Sequence, residues 1–348
     1  MATLDELFHV MIREGASDLH LSPFYPPFFR INGHMIKLNT AALTPDKCQK
    51  LISETMSEEQ NQYFKQELEL DWSYQLPGHA RFRANAFLQN DGMGAVYRLI
   101  PEKIKTFEEL DLPDVLRVLA DQPKGLILAT GPTGSGKSTT LAALIQHINM
   151  TRKEHIITIE DPIEYVHKGI NCLINQREVF RHTKSFSTAL KSALREDPDI
   201  IMVGEMRDVE TISLTLTAAE TGHLVFATLH TNSAAKSIDR IIDSFPHEQQ
   251  SQARVMLSES LIGIVAQTLL PRADKSGMVP AMEVLVVTPA VRNLIRENKA
   301  FQIPSVIQTS VRKGMISFES SVAALVESGA VTQATAASFL PTVVTSNP

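Results

Sequence analysis

Between the apolar run GLILAT, residues 125–130, and the stretch KSTTLAALIQHI stands GPTGSGKS, Gly131 to Ser138. This octet has the spacing G-x-x-x-x-G-K-[ST], in which glycines let successive backbone N–H groups turn inward onto one concave surface. The geometry works when a strand delivers the loop and a helix leaves from it, because the helix N-terminus adds partial positive charge. Both flanks are present, so the octet demands a strand–loop–helix unit in an α/β protein. Phosphate oxygens suit such a surface: Lys137 would bridge the β- and γ-phosphates of ATP, and Ser138 would ligate Mg²⁺. The candidate nucleotide-binding residues are Gly131, Pro132, Thr133, Gly134, Ser135, Gly136, Lys137, Ser138 and Thr139. A glycine-rich turn matching by chance is the bland alternative.

The rest of the second half keeps the same rhythm. GLILAT, HIITIE (155–160), DIIMVGE (199–205) and HLVFATLH (223–230) are apolar strand candidates, separated by helical stretches at 137–150, 185–196, 208–221 and 233–245. Alternating β and α with near-continuous apolar strands implies a parallel sheet covered on both faces. A helical stripe is expected next, with Leu257, Leu261, Ile264, Val265 and Leu269 on one side. The first hundred residues read differently, as a small α+β unit. Leu4, Leu7, Phe8, Met11 and Ile12 recur at helical spacing and Gly15 supplies a stop. Asn32-Gly33 is a hairpin signal, Thr44 before Pro45 starts a helix, and Pro77-Gly78 and Asp91-Gly92 punctuate an antiparallel meander. The expected organisation is 1–100 as the first domain, 101–115 as a linker, 116–330 as the ATPase domain and 331–348 as a mobile tail.

Three further strands end in chemistry. ITIEDPIEY sets Glu160, Asp161 and Glu164 after a strand, with Pro162 forcing a turn. Carboxylates there can hold a metal-bound water, and Glu160 is a candidate second Mg²⁺ ligand; helix-capping acids are the alternative. His230 ends HLVFATLH, where an imidazole can sense a γ-phosphate, unless it is a satisfied core histidine. In VGEMRD the position just after the apolar run, where an Asp usually holds the metal, is Gly204, and Glu205 follows. Doubly wound sheets bind ligands at the carboxyl ends of their strands, so these residues are expected to converge on the phosphate loop. Glu205 then reads as the base that takes a proton from water, with metal ligand and helix cap as the alternatives. In ARFRANAF, Arg81 and Arg83 share one strand face, and Arg98 follows in VYRLIP. Such arginines can offset the charge that develops on a γ-phosphate, from the same or the adjacent subunit, or can line a solvated face.

The 348 residues carry a net charge of −6, which counts against a nucleic-acid-coating protein. Cys48 and Cys172 are the only cysteines, so there is no disulfide framework and no cysteine zinc site, and the expected compartment is the reducing cytoplasm. No run approaches the roughly 18 apolar residues of a membrane span, so membrane association is expected to go through a partner.

The segments SDLHLS, ATGPTGSGKSTTLAA, TIEDPIEYVH, NQREV, LREDPD, VGEMRD, TAAETGHLVFATLHTNSA and AVRNLIREN together resemble the PilT-type retraction ATPases of type IV pili, within the secretion-ATPase superfamily. The resemblance runs from about residue 4 to residue 318. It implies a PAS-like N-terminal domain, a RecA-like ATPase domain, and a homohexamer that drives pilus disassembly at the inner membrane. It also matches 160–164 to an Asp box, Glu205 to an atypical Walker B motif, and His223 and His230 to a His box. The C-terminal AIRNLIRE motif stands as Ala290 to Glu297 with Val291 for its first Ile, so that Arg292 and Arg296 become candidates for contact with an inner-membrane platform protein. One departure stands out: the acidic residue usual after REVxR is His182 here. A specialised, weakly catalytic paralogue and a nucleic-acid translocase are the competing readings.

Replacing Lys137 with Ala removes the point charge on the β- and γ-phosphates. Lys137→Ala is expected to abolish hydrolysis and strongly weaken ATP binding in a steady-state ATPase assay and a nucleotide titration; normal turnover would contradict the phosphate-loop assignment.

Overall fold

The protein's structure, a computed structural model, describes residues 3–31, 33–100 and 103–340. Asn32, Pro101, Glu102 and the end of the expected tail, 341–348, lie outside the described residues. Two compact units emerge: one takes the chain up to Lys103 together with Pro162–Val166, the other Ile104–Asp161 and the chain from His167 onward.

In the first unit, α1 (Leu4–Arg13) begins in a capping box, where the Thr3 hydroxyl accepts from the Glu6 N–H and the Glu6 carboxylate accepts from the Thr3 N–H. Its apolar stripe of Leu4, Leu7, Phe8 and Met11 is buried. Strands β1 (Asp18–Leu21), β2 (Phe28–Ile31) and β3 (His34–Lys37) follow, then α2 (Pro45–Ser53) capped by Thr44, and α3 (Glu58–Glu67). The meander is β4 (Glu69–Leu76), β5 (Ala80–Gln89) and β6 (Gly92–Ile100). Among the described residues these strands make one antiparallel sheet in the order β3-β2-β1-β6-β5-β4. Along β5 the burial alternates: Ala80, Phe82, Ala84 and Ala86 face the core, while Arg81, Arg83 and Asn85 do not. Phe8 stacks on Phe82 with ring centroids 4.0 Å apart, and the buried Tyr97 hydroxyl meets Thr55 Oγ1 at 3.0 Å.

The second unit runs α4 (Val115–Ala120), β7 (Gly125–Thr130), α5 (Lys137–Thr151), β8 (His155–Glu160), β9 (Leu173–Glu178), α6 (Phe186–Ala193), β10 (Ile200–Val203), α7 (Val209–Glu220), β11 (Leu224–Leu229), α8 (Ala234–Asp243) and α9 (Gln250–Ser260). It continues with β12 (Leu261–Pro271), β13 (Met278–Val286), α10 (Pro289–Arg296), α11 (Ile303–Thr309), α12 (Phe318–Glu327) and α13 (Gln333–Phe339). The sheet order is β13-β12-β7-β11-β10-β8-β9, parallel throughout except for the antiparallel β13 edge. Every residue of β7, β10 and β11 is buried, as a sheet covered on both faces requires. Cys48 and Cys172 are free and buried.

Two expectations fail here. The helical stripe ends at Ser260, and Leu261, Ile264, Val265 and Leu269 belong to strand β12. Within the expected linker the two units divide at Lys103, and Phe107 and Leu112 are buried in the core of the second unit. The tail is structured as far as Leu340: α13 is capped by Thr332, and Val331 and Ala336 pack in a small cluster with Leu270 and Val279.

Ser57 and Gln60 form a second capping box, at the start of α3. Ser57→Ala is expected to cost about 1 kcal/mol of stability. Urea unfolding followed by the fluorescence of Trp72, the sole tryptophan, whose indole N–H donates to Thr55 O at 3.0 Å, reads that loss close to its source. An unchanged midpoint would mean that the box contributes nothing.

Candidate active site

Parallel pairing sets the geography. Leu229 pairs with Thr130, Val203 with Ala227, and Val203 with Ile159, so the carboxyl ends of β7, β11, β10 and β8 share one edge. The phosphate loop leaves β7 there. Gly131 and Gly136 adopt φ of 143° and 88°, which side chains rarely tolerate. A Cβ on Gly131 would stand 2.2 Å from Gln267 O, and one on Gly136 2.7 Å from Gln267 Nε2. Gln267, buried on β12, is the clamp: Nε2 donates to Ser135 O at 2.6 Å while Oε1 accepts from Thr140 Oγ1 at 2.7 Å. It ties the loop to the first turn of α5.

The loop fits a phosphate. Helix α5 follows Gly136, which has no side chain to cap it, and the partial positive charge of a helix N-terminus favours an anion there. The Lys137 ammonium donates to Gly131 O at 2.8 Å and Pro132 O at 3.0 Å, both on the loop. Ser135 Oγ is buried without a hydrogen-bond partner. Among the described residues no group of three or more His, Cys, Asp or Glu side chains is placed to hold a metal. Mg²⁺ at nucleotide sites takes one or two protein oxygens plus phosphate oxygens and water, and the hydroxyl of Ser138 in the first turn of α5 fits that donor set.

Glu205 sits just past β10 and is already engaged. Arg207 Nη2 lies 2.8 Å from Oε2, and His230 Nε2 lies 3.0 Å from Oε1. Partial burial pushes its pKa up, but Arg207 and His230 outweigh that, and the net shift is downward. Glu205 is therefore ionised, as a base must be. The structure thus joins two residues that the sequence placed on separate strands, and adds Arg207, which sequence reasoning passed over although it lies two positions from Glu205. The glycine at 204 also has a packing reason: a Cβ there would come within 3.0 Å of Ile159 O and 3.3 Å of Glu160 Cα. An Asp at this position would press on β8.

The other acids differ. Glu160 is buried at the end of β8, where its Oε1 accepts from Thr158 Oγ1 at 2.7 Å and Gln176 Nε2 at 3.2 Å. Glu164 belongs to the first unit, 3.8 Å from Arg83 Nη1. Arg81 Nη2 donates to Ser73 Oγ at 2.8 Å, and Arg98 Nε to the buried Asp18 at 2.8 Å; Arg83 and Arg98 are paired neighbours on β5 and β6. His223 precedes β11 and hydrogen-bonds Ala218 O at 2.8 Å, so it stands at the opposite end of that strand from His230. His182 Nδ1 accepts the Glu178 N–H at 2.9 Å, a role that a carboxylate oxygen would also fill. On α10, Val291 and Ile295 are buried, and Arg296 pairs with Glu259 at 3.0 Å.

Comparisons with known proteins bear on the chain as a whole. The family described as Type II/IV secretion system protein matches residues 1–279. The Type IV pilus retractation ATPase PilT of Pseudomonas aeruginosa is 53% identical over 95% of this chain and 96% of its own. The Type IV pilus ATPase PilU of the same organism is 39% identical over 94% of this chain and 86% of its own. A crystal structure of the pilus retraction motor PilT with bound ADP superposes with a TM-score of 0.90, at 47% identity and 98% coverage of both chains.

Gln267→Leu removes both arms of the clamp and orphans Ser135 O and Thr140 Oγ1. Nucleotide affinity, measured by titration with fluorescent ADP, is expected to fall at least about 10-fold, since each of the two lost buried hydrogen bonds is worth about 1 kcal/mol. Undiminished affinity would show that the loop holds its shape without Gln267.

Proposed function

The chain belongs to the Type II/IV secretion system protein family, and on that premise we propose that it is an ATPase motor that retracts type IV pili. The observation that carries this reading is a phosphate loop clamped by Gln267, with ionised Glu205 on the same sheet edge. Near full-length similarity to a protein described as a pilus retraction ATPase supplies the motor role. The higher identity to PilT, 53% against 39% for PilU, supports the main motor over a specialised paralogue.

The loop from Gly131 to Thr139 holds the phosphates through backbone N–H groups, of which Pro132 has none, and Lys137 turns from the loop carbonyls to the β- and γ-phosphates. Mg²⁺, when bound through Ser138, offsets charge on the phosphate oxygens. Glu205 accepts the proton of the attacking water. Because Arg207 and His230 occupy its oxygens before nucleotide arrives, they are also the donors that an incoming γ-phosphate can recruit, which frees the carboxylate. Glu160 orders the neighbouring strand end and remains a candidate to hold Mg²⁺ through water, with Glu164 in the adjoining segment. One or more of Arg81, Arg83 and Arg98 supplies positive charge to the transferring phosphoryl group, from the same or the adjacent subunit. The working assembly is a homohexamer in the cytoplasm, docked on an inner-membrane platform protein through Arg292 and Arg296. Among the described residues no helix is long and apolar enough to cross a membrane, which suits docking through a partner.

Glu205→Gln keeps the size of the side chain and one of its two acceptor oxygens but cannot take a proton. ATP affinity is expected to survive, hydrolysis to fall by roughly 10²–10⁴-fold, and added Mg²⁺ not to restore it. Cells relying on this variant are expected to be piliated and unable to twitch. Hydrolysis within a few-fold of the parent would sink the base assignment, and normal twitching in a strain lacking the protein altogether would sink the motor role.

A further inference from the structure

His230 meets Glu205 from a four-residue turn, His230 to Ser233, that connects β11 to α8. A short turn at a sheet edge holds an imidazole in place only if its far end is anchored. Part of that anchoring is local: Thr231 Oγ1 lies 2.6 Å from Ser237 Oγ, and Ser233 caps α8 on the Lys236 N–H. A further tie comes from across the sheet. Glu283 on β13 accepts the Ala234 N–H at 2.7 Å, at the first residue of α8. Glu283 pairs in register with Ala266, the neighbour of the clamp Gln267, and Ala266 pairs with Thr130, the last residue before the phosphate loop. The strand pair that fixes the loop therefore also fixes the histidine turn.

We propose that Glu283 is a positioning residue for hydrolysis, whose carboxylate oxygen pins the start of α8 and so sets His230 against Glu205. It rests on the reading that this edge hydrolyses ATP. What the role requires is an acceptor oxygen at the right reach, and charge is secondary. Burial, reinforced by the neighbouring Glu319, pushes the Glu283 pKa upward, so the site already disfavours the charge.

Reach and charge separate in two variants that leave no large cavity. Glu283→Gln keeps the oxygen and loses the charge; Glu283→Asp keeps the charge and withdraws the oxygen by one methylene. Glu283→Asp is expected to lower kcat by on the order of 10- to 100-fold, the effect of a misplaced group, with KM for ATP unchanged. Glu283→Gln is expected to stay within about two-fold of the parent, because its amide oxygen still accepts from Ala234. In a His230→Ala background, single-turnover rates of the two variants are expected to converge. The inference is overturned if Gln is impaired and Asp is not, if both are normal, if both are impaired, or if their difference persists without His230. A second readout does not need turnover: hydrogen exchange of the peptide spanning 230–236 is expected to speed up in Glu283→Asp and not in Glu283→Gln. Equal exchange overturns the anchoring itself, whereas altered exchange in a parent that hydrolyses no ATP overturns only the reading of the edge.

Discussion

Parallel pairing of β7, β11, β10 and β8 is the constraint on which the site depends. A strand in a parallel sheet must return to the same edge to begin again, so its carboxyl end always opens on the same side. Four connections therefore gather on one rim without any side chain having to specify it. The fully buried strands fix the depth of that rim: shifting Val203 or Leu229 by one residue would drive its whole strand out of register with two neighbours. Chemistry is then a matter of which residue happens to be first beyond the core.

The rim is electrostatically self-contained. Glu205 carries two cationic or potentially cationic partners, and the Lys137 ammonium rests on carbonyl oxygens of its own loop. Charges meant for a polyanionic substrate and its metal are thus not left waiting in the open, where partial burial would make them costly. In the proposed cycle, substrate exchanges partners with groups that are already satisfied. Such exchange favours a site that keeps its shape through a cycle of binding and release, because no step strands a charge.

How much of this was legible in the sequence follows from what periodicity can encode. GLILAT was read to the residue, because glycine and lysine spacing bounds it on one side and a charged turn on the other. LIGIVAQTLLP reads as helix because a strand buried on both faces is apolar at almost every position, and the spacing of Leu261, Ile264 and Val265, continuing from Leu257 on α9, satisfies a helical template equally well. Strand β9, LINQRE, escaped notice for the opposite reason: an edge strand with one solvated side looks polar. Gln267 and Glu283 were illegible, since their roles exist only once β12 and β13 lie beside β7 and α8. Arg207 could have been found, because the same carboxylate that attracted attention to VGEMRD needed a counter-charge. The tail misleads by composition: its small residues look solvated, yet Ala336 is buried in a small apolar cluster.

The two cysteines, unremarkable as structure, make the molecule convenient to handle. Burial pushes the Cys48 thiol up to about 11 and raises Cys172 as well, so at neutral pH almost no thiolate is present at either position. Maleimide dyes react with thiolate at the surface. A single cysteine placed on an exposed helix face, for example at Asn293 on α10, would therefore carry the only reactive thiol among the described residues, so that a fluorophore could be attached there selectively.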